Sequence, residues 1–474
     1  MRNRGTTRRE VLKGMGLAGA GLLLGCSDGS AGALGGTDGG TPVEGPPSDF
    51  AVERPPEPPE PTPLSDAFPL GVASGDPTPA RAIVWARYTG ARPLRLVVWE
   101  MRGDVYAREV AAVDATPAAA DGGFVQRDVA GLTAGAPHRY AFFELDGAGA
   151  RVARSPIGRL RAPAAADALV DVTLGAVSCT AWGKPFAALA RAAARPDLDG
   201  FLFLGDTVYC DGARSRDDYR GMWARTLGTD EYRALRAAHP AIATWDDHEV
   251  DNNWNPETTD AAQRDAALGA FFEHQPVRRD PTVPSRIWRR LRFGRTVELF
   301  VLDCRGERRP STRKDADAQY LSPEQLAWLK AGLVASDAVF KVILNSVPIS
   351  SFPGAFQVAP GDRWEGYPAQ RRALLEHIDS SGLRGVLWIS GDFHLGSIGR
   401  VATSGAGATQ LEVLAGPGAQ SPNVLWTTLG GSQFDFATGT NNYTTFRFDP
   451  TNRRVRVAFL DGDGATLVDR TYDL

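Results

Sequence analysis

Cysteine is scarce. Four in 474 residues exclude a scaffold built on disulfides. Basic charge is not in excess either: a formal net charge of −4 and a pI near 6.0 argue against a nucleic-acid binder, whose footprint would be basic. The apolar run from Gly14 to Gly25 has only 12 residues, short of the ~20 that a helix needs to span a bilayer core of ~30 Å. The G-x-S-x-G run Gly25-Cys26-Ser27-Asp28-Gly29 closes that apolar run rather than joining a strand to a helix, so a serine hydrolase lacks support. What is abundant is globular material, 43% hydrophobic and 23% charged, in a length that suggests two or three domains.

The first 26 residues read as an address. Arg8-Arg9 stands just ahead of the short apolar run, as in a twin-arginine export signal. The run ends Leu23-Leu24-Gly25-Cys26, which resembles a lipobox cut and acylated at its cysteine. The expectation is a periplasmic or cell-surface lipoprotein, exported by the twin-arginine machinery and held on a bacterial membrane by lipid on Cys26. Residues 27–66 carry nine Pro and seven Gly, a composition that buries too little apolar surface to fold. Residues 27–65 are therefore expected to form a disordered tether.

From 66 to 165 short alternating strands split by Gly, Pro and Asp predict an all-β, immunoglobulin- or fibronectin-like sandwich. From 166 to 474 strands alternate with amphipathic helices, an α/β pattern. Helices are predicted at Ser215–Leu227, Asp230–Ala238, Asp260–His274, Pro323–Ala335 and Ala369–Ser380. His138 reads as structural, and His239, His274 and His377 as surface or helix-end residues.

Chemistry gathers where apolar strands end. Leu174–Val177 runs into Ser178-Cys179, and Phe201–Leu204 into Gly205-Asp206-Thr207-Val208-Tyr209. Ala241–Trp245 runs into Asp246-Asp247-His248-Glu249, and Val386–Ser390 into Gly391-Asp392-Phe393-His394. Each has a plainer reading alone: Gly-Asp as a turn, Cys179 as a small buried hydrophobe, Asp247-His248-Glu249 as a surface charge run. Four together are hard to explain as packing, because ligands bind beyond the carboxyl ends of strands in α/β sheets. Carboxylates gathered there repel one another, and multivalent cations relieve the repulsion. A metal cluster is the expectation. With only His248 and His394 among these motifs, a histidine-rich zinc site is disfavoured. Thiolate, phenolate and carboxylate suit ferric iron, and an oxygen-only neighbour suits calcium, magnesium or manganese.

This set resembles the alkaline phosphatase D family, within the calcineurin-like and purple-acid-phosphatase-like metallophosphoesterases. Phe68–Pro77, Asp303-Cys304-Arg305, Leu321–Leu329 and Trp364–Pro368 resemble its other blocks, so the likeness covers roughly 66–474. It implies an α/β metallophosphoesterase, a central β-sandwich flanked by helices, behind the N-terminal β domain. It further implies that Asp206 bridges two metals, that Cys179, Tyr209 and His394 complete a ferric-type site, and that Asp247 and Asp392 face a calcium-type site. Manganese, magnesium or zinc are the alternatives. The implied reaction is hydrolysis of phosphate mono- or diesters by a metal-bound hydroxide. His248 is then expected to hydrogen-bond the phosphoryl oxygen or protonate the leaving alkoxide. Arg305 is expected either to clamp phosphate or to sit in a salt bridge near Asp303.

Two departures stand out. The wider superfamily places a metal-binding His after the strand that here reads Lys341–Leu344, where this chain offers Asn345 or Ser346. Thr180 stands where Gln often follows Ser-Cys. Alternative readings are a phosphodiesterase acting like a phospholipase D on lipid or cell-wall diesters, and a catalytically lapsed, membrane-tethered binding lipoprotein. Whether Cys210 and Cys304 pair is left open.

Overall fold

The computed structural model describes residues 56–356 and 361–474. The expected export signal, Cys26 and most of the expected tether lie outside the described residues. Among the described residues, no helix is long and apolar enough to cross a membrane.

Two large sheets form the centre. The first has nine strands, with Val172–Val177, Gly200–Leu204 and Ala241–Thr244 parallel in its middle. The second has seven, built on the parallel strands Val297–Val301, Phe340–Asn345, Val386–Ser390 and Leu411–Leu414. The parallel strands are continuous apolar runs because both of their faces are covered. Leu174, Leu202 and Ile242 of one sheet meet Leu299, Val342, Leu387 and Ile389 of the other in a shared core. Helices Arg216–Leu227, Asp230–Ala238 and Ala261–His274 belong to a second core that includes Phe201, Phe203 and Ala243. Helices Pro323–Ala335 and Pro368–Ser380 pack with Phe300, Ile343 and Trp388 of the other sheet. This is the expected central sandwich with helices outside it.

Helix boundaries follow their caps. Ser215, Asp260 and Ser322 each accept a backbone N–H three residues on, from Asp218, Gln263 and Gln325, satisfying amides that have no partner inside the helix. The short helix Ala187–Ala193 is absent from the sequence-based expectation, since its alanine-rich sequence carries little amphipathic signal.

The N-terminal region is two packed sheets, but one is shared. Strands Leu94–Arg102 and Pro137–Leu145 belong to a separate five-stranded sheet. Strands Val72–Gly75, Arg81–Arg87 and Phe124–Ala130 instead extend the nine-stranded sheet through a parallel contact of Gly75 with Ala241. Val84, Leu96, Tyr140 and Phe142 fill the core between them. Residues 56–65, which composition assigns to the tether, lie against this region. Ser65 N–H donates to the Arg154 carbonyl and Arg154 N–H to the Pro63 carbonyl, Tyr106 donates to the Pro56 carbonyl, and Arg154 pairs with Glu57 at 3.0 Å.

His239 and His274 take the helix-end one of their two expected placements. Both are buried there and not at the surface. Burial lowers them to about 4 and about 3. His239 Nε2 lies 2.9 Å from the Ala192 carbonyl, and the His274 ring stacks on Trp223. His138 is buried with Nδ1 3.0 Å from the Ala136 carbonyl, a structural placement.

Candidate metal centre

Register carries the strand-end motifs to one edge. Val177 is level with Phe203, Leu204 with Thr244, and Asn345 with Ser390. The loops that leave these strands then turn sharply. Seven non-glycine residues among the described ones have positive φ, and four of them are Cys179 (57°), Asp206 (51°), Asp392 (72°) and His394 (52°). A left-handed conformation costs a non-glycine residue ~1–3 kcal/mol and persists where the surroundings over-determine it. The glycines ahead of the aspartates allow the loops to close up. A Cβ on Gly205 would fall 2.4 Å from the Asp246 Cβ, and one on Gly391 would fall 2.6 Å from the Ser178 Cβ.

The donors converge. Ligand atoms of Cys179, Asp206 and His394 all lie within 4.8 Å of one another, as do those of Asp206, Asp246, Asp247 and Asp392, and those of Asp206, Asp247 and His248. Asp206 belongs to all three groups. Cys179 Sγ is 3.6 Å from Asp206 Oδ2, and the Tyr209 hydroxyl is 3.2 Å from His394 Nε2. Every metal-ligand candidate named from the sequence is thus at this edge. Asn253, itself at φ 55°, donates its backbone N–H to Asp247 Oδ2 at 2.6 Å and fixes that carboxylate.

Negative charge exceeds positive here. Asp206, Asp246, Asp247, Glu249 and Asp392 are buried together. Burial and their mutual repulsion push Asp206 and Asp392 well above the usual carboxylate range. Burial lifts Asp246 to about 6 against the pull of Arg305. It lifts Glu249 to about 7, although Glu249 accepts backbone N–H groups from Asp206, Thr207 and Asp246. Asp247 moves the other way: burial raises it, but Arg305 and His248 together outweigh that. Burial also raises the Cys179 thiol and lowers His394 to about 4, keeping that imidazole neutral.

His248 is aimed by a partner that the sequence motifs do not include. Its Nδ1 lies 2.8 and 2.7 Å from the two oxygens of Asp211, and Tyr209 packs on its ring at 4.0 Å. Its Nε2 is buried without a hydrogen-bond partner. Asp211 and His248's other acidic neighbours raise the imidazole's proton affinity against its burial. Asp211 follows Tyr209 by two residues, so its place in the same loop was the available signal.

Of the two readings of Arg305, the structure takes the salt bridge and corrects the phosphate clamp. Its side chain is fully buried, and both edges of the guanidinium are engaged. Nε and Nη2 donate to Asp246 at 2.6 and 2.9 Å, and Nη1 donates to Asp362. No edge remains to clamp a phosphate, and Asp303 stands beside the salt bridge, accepting the Arg305 backbone N–H at 3.1 Å. Arg305 instead holds Asp246, while Arg308 shares Asp362 with it at 2.6 Å. Asn345 and Ser346 are committed as well. Ser346 donates to Asp246 at 2.8 Å, and the Asn345 side-chain oxygen accepts from Trp364 at 3.1 Å. Neither takes the place of the missing histidine. Thr180 fastens the loops together, its backbone N–H donating to the Asp206 carbonyl at 2.9 Å. Cys179, Cys210 and Cys304 are all free thiols, so Cys210 and Cys304 do not pair.

The sequence pattern of the PhoD-like phosphatases matches residues 174–471, and that of the PhoD-like phosphatase N-terminal domain matches 54–164. The chain belongs to the PhoD-like phosphatase family. It is 28% identical over 385 residues to alkaline phosphatase D of Bacillus subtilis (strain 168), covering 69% of this chain and 64% of that relative's length. The solved structure of PhoD overlays with a TM-score of 0.72 at 23% identity, covering 87% of this chain and 92% of the other. A purple acid phosphatase from yellow lupin (Lupinus luteus) seeds overlays with a TM-score of 0.63 at 12% identity, covering 85% and 73%. The two overlays establish a shared fold. Against that family background, the thiol, phenol, imidazole and carboxylates of this PhoD-like chain form a donor set able to take metal ions.

Proposed function

We propose that this chain is a metal-dependent phosphoric ester hydrolase. The single observation that carries this reading is the excess of buried carboxylates around Asp206, with Cys179 and His394 donors inside the same 4.8 Å group. The residues fit metal ions. His248 Nε2 and Asp247 Oδ1 are buried with no hydrogen-bond partner, and such atoms are normally satisfied. Cys179, Tyr209, His394 and Asp206 would hold one ion, for which ferric iron suits the sulfur and phenol donors. Asp206, Asp247 and Asp392 would hold a harder ion such as calcium, with manganese or magnesium as substitutes. Bound ions would supply charge neutralisation at the phosphate and acidify water.

The chain's own residues do the rest. Asp211 fixes the His248 ring so that Nε2 faces the carboxylate cluster, where it donates to a phosphoryl oxygen or delivers a proton to the leaving alkoxide. Arg305 and Ser346 keep Asp246 in place, and Glu249 ties three backbone N–H groups beneath the Asp206 turn. Turnover of p-nitrophenyl phosphate and bis-p-nitrophenyl phosphate, run beside elemental analysis, tests the reading and separates monoester from diester preference. Protein that takes up neither iron nor a divalent ion, and cleaves neither ester, would overturn it.

Export by the twin-arginine route, lipid attachment at Cys26 and a periplasmic or cell-surface place are part of the same proposal, supported by residues 1–26. We also read the N-terminal sheets as an immunoglobulin-like sandwich, supported by their strand spacing.

A further inference from the structure

Two loops are tied by hydrogen bonds to ligands of the metal centre. The first leaves Cys179 through Thr180 to Lys184. The second runs from Ala419 to Trp426. Ala181 N–H donates to the Ala419 carbonyl at 2.9 Å, Ala419 N–H to the Cys179 carbonyl at 3.1 Å, and Asn423 N–H to the His394 carbonyl at 3.0 Å. The His394 ring also hydrogen-bonds the Ser421 backbone, and the Lys184 ammonium donates to Ser421 Oγ at 3.2 Å. One residue of this rim, Ser421, therefore touches both a ligand and a surface cation.

The rim is chemically unlike the centre behind it. Trp182 is 49% exposed. Among the described residues no other tryptophan is exposed. A half-exposed indole forgoes much of the burial that makes the residue favourable in a fold. The Arg225 guanidinium covers one side of the ring at 4.2 Å from its centroid. Val424, 61% exposed, stands on the facing loop. Lys184 lies two residues from Trp182, within ~7 Å of chain. A planar apolar surface and an ammonium group thus stand two residues apart on a loop bonded to a centre whose own charge is negative.

We propose that Trp182 and Lys184 form a subsite for the leaving group of the substrate, and that this group carries an aromatic ring and a second anionic group, as the nucleoside monophosphate of a nucleoside diphosphate does: water bonds to the terminal phosphorus, the bond from that phosphorus to the bridging oxygen breaks, and the nucleoside monophosphate departs with that oxygen. The inference rests on the phosphohydrolase reading and names its substrate class. Trp182 stacks on the ring, and Lys184 pairs with the anionic group next to the phosphorus under attack. Stacking of a base on an aromatic side chain contributes ~1–3 kcal/mol, which corresponds to roughly 5- to 150-fold in binding.

Three substrates separate the contributions: the phosphoanhydride ADP has ring and second charge, the ester p-nitrophenyl phosphate has the ring alone, and the ester glycerol phosphate has neither. Trp182→Ala should raise KM about 10-fold for ADP and p-nitrophenyl phosphate, leaving kcat and the glycerol phosphate kinetics unchanged. Trp182→Phe should restore most of the loss. Lys184→Gln should raise KM for ADP alone, by about 5-fold. Equal effects of Trp182→Ala on all three substrates, or none on the two that carry a ring, would overturn the subsite. Calorimetric titration of α,β-methylene-ADP, whose carbon bridge is not hydrolysed, into metal-loaded protein reads the subsite without turnover. Weaker binding by Trp182→Ala than by the parent supports the subsite, and equal binding removes it. Failure of the parent to cleave any of the three substrates would count against the hydrolase reading instead.

Discussion

Two of the groups of buried charge among the described residues are resolved in opposite ways. At the junction with the N-terminal region, Asp76 meets Arg289 in a two-pronged pair, Nε to Oδ2 and Nη2 to Oδ1, both 2.7 Å. The Arg278 backbone N–H adds a third contact to Asp76 at 2.7 Å. One carboxylate faces one guanidinium, and the charge closes on itself. At the strand ends, Asp206, Asp246, Asp247, Glu249 and Asp392 crowd around Arg305, and that charge does not close. Both groups use an aspartate with positive φ, at 42° for Asp76 and 51° for Asp206, so backbone strain alone does not mark function. Charge balance does. A buried pair that satisfies itself is architecture, whereas a buried cluster with surplus anions calls for cations from outside.

The comparison breaks most sharply at Asp206. Asp206→Asn should remove metal and activity together, with activity falling more than about 10³-fold, because this residue belongs to every donor group. Elemental analysis of the purified variant is the check; full metal content would mean that the cluster does not depend on it. His248→Ala should cost ~10²–10⁴-fold in kcat while metal content stays near that of the parent. Loss of metal would make His248 a ligand, which its distance from Asp206 and Asp247 allows. Asp76→Asn should behave in the reverse sense. It takes the carboxylate from Arg289, whose side chain is 13% exposed and keeps only the Ala243 and Ile287 carbonyls, and should destabilise the fold by ~3 kcal/mol, read in denaturant titration. Metal content per folded molecule should not change.

The same contrast explains what the sequence could disclose. Cys179, Asp206, Asp247, Asp392 and His394 were legible because each follows an apolar parallel strand, and neighbouring parallel strands must end at one edge of their sheet. Helix starts at Ser215, Asp260 and Ser322 were legible because caps are local. Pairing across the chain was not. Arg305 stayed open between phosphate clamp and salt bridge because no spacing rule places Asp246, 59 residues away, and Asp362, 57 residues away, on its two edges. His239 and His274 stayed open between surface and helix end because a helix end gives no sign of the sheet packed over it. Residues 56–65 looked like tether because proline content signals extended chain, and extended chain can also lie along a folded surface, as Ser65 does beside Arg154.

The smallest expected effect is the most direct measure of surplus charge. In metal-free protein Asp246 and Glu249 rise from ordinary values of 3.8 and 4.5 to about 6 and about 7. A raised acid binds its proton more tightly in the folded state than in the unfolded one. The folded state is therefore favoured below the unfolded values, and that advantage is lost as pH climbs through the folded ones. Between about pH 4.5 and 7, metal-free protein should lose stability at up to ~1.4 kcal/mol per pH unit for each such group. Acids held low by surface partners, such as Asp280 and Asp469, act below this window and act equally with or without metal. Bound cations take the place of the protons, so loaded protein should show a flat or rising profile. Thermal melts in EDTA and in calcium with ferric iron, from pH 5 to 8, should diverge by roughly 5 °C at the upper end. Parallel curves would show that the carboxylates at the strand ends balance their charge internally, as Asp76 and Arg289 do.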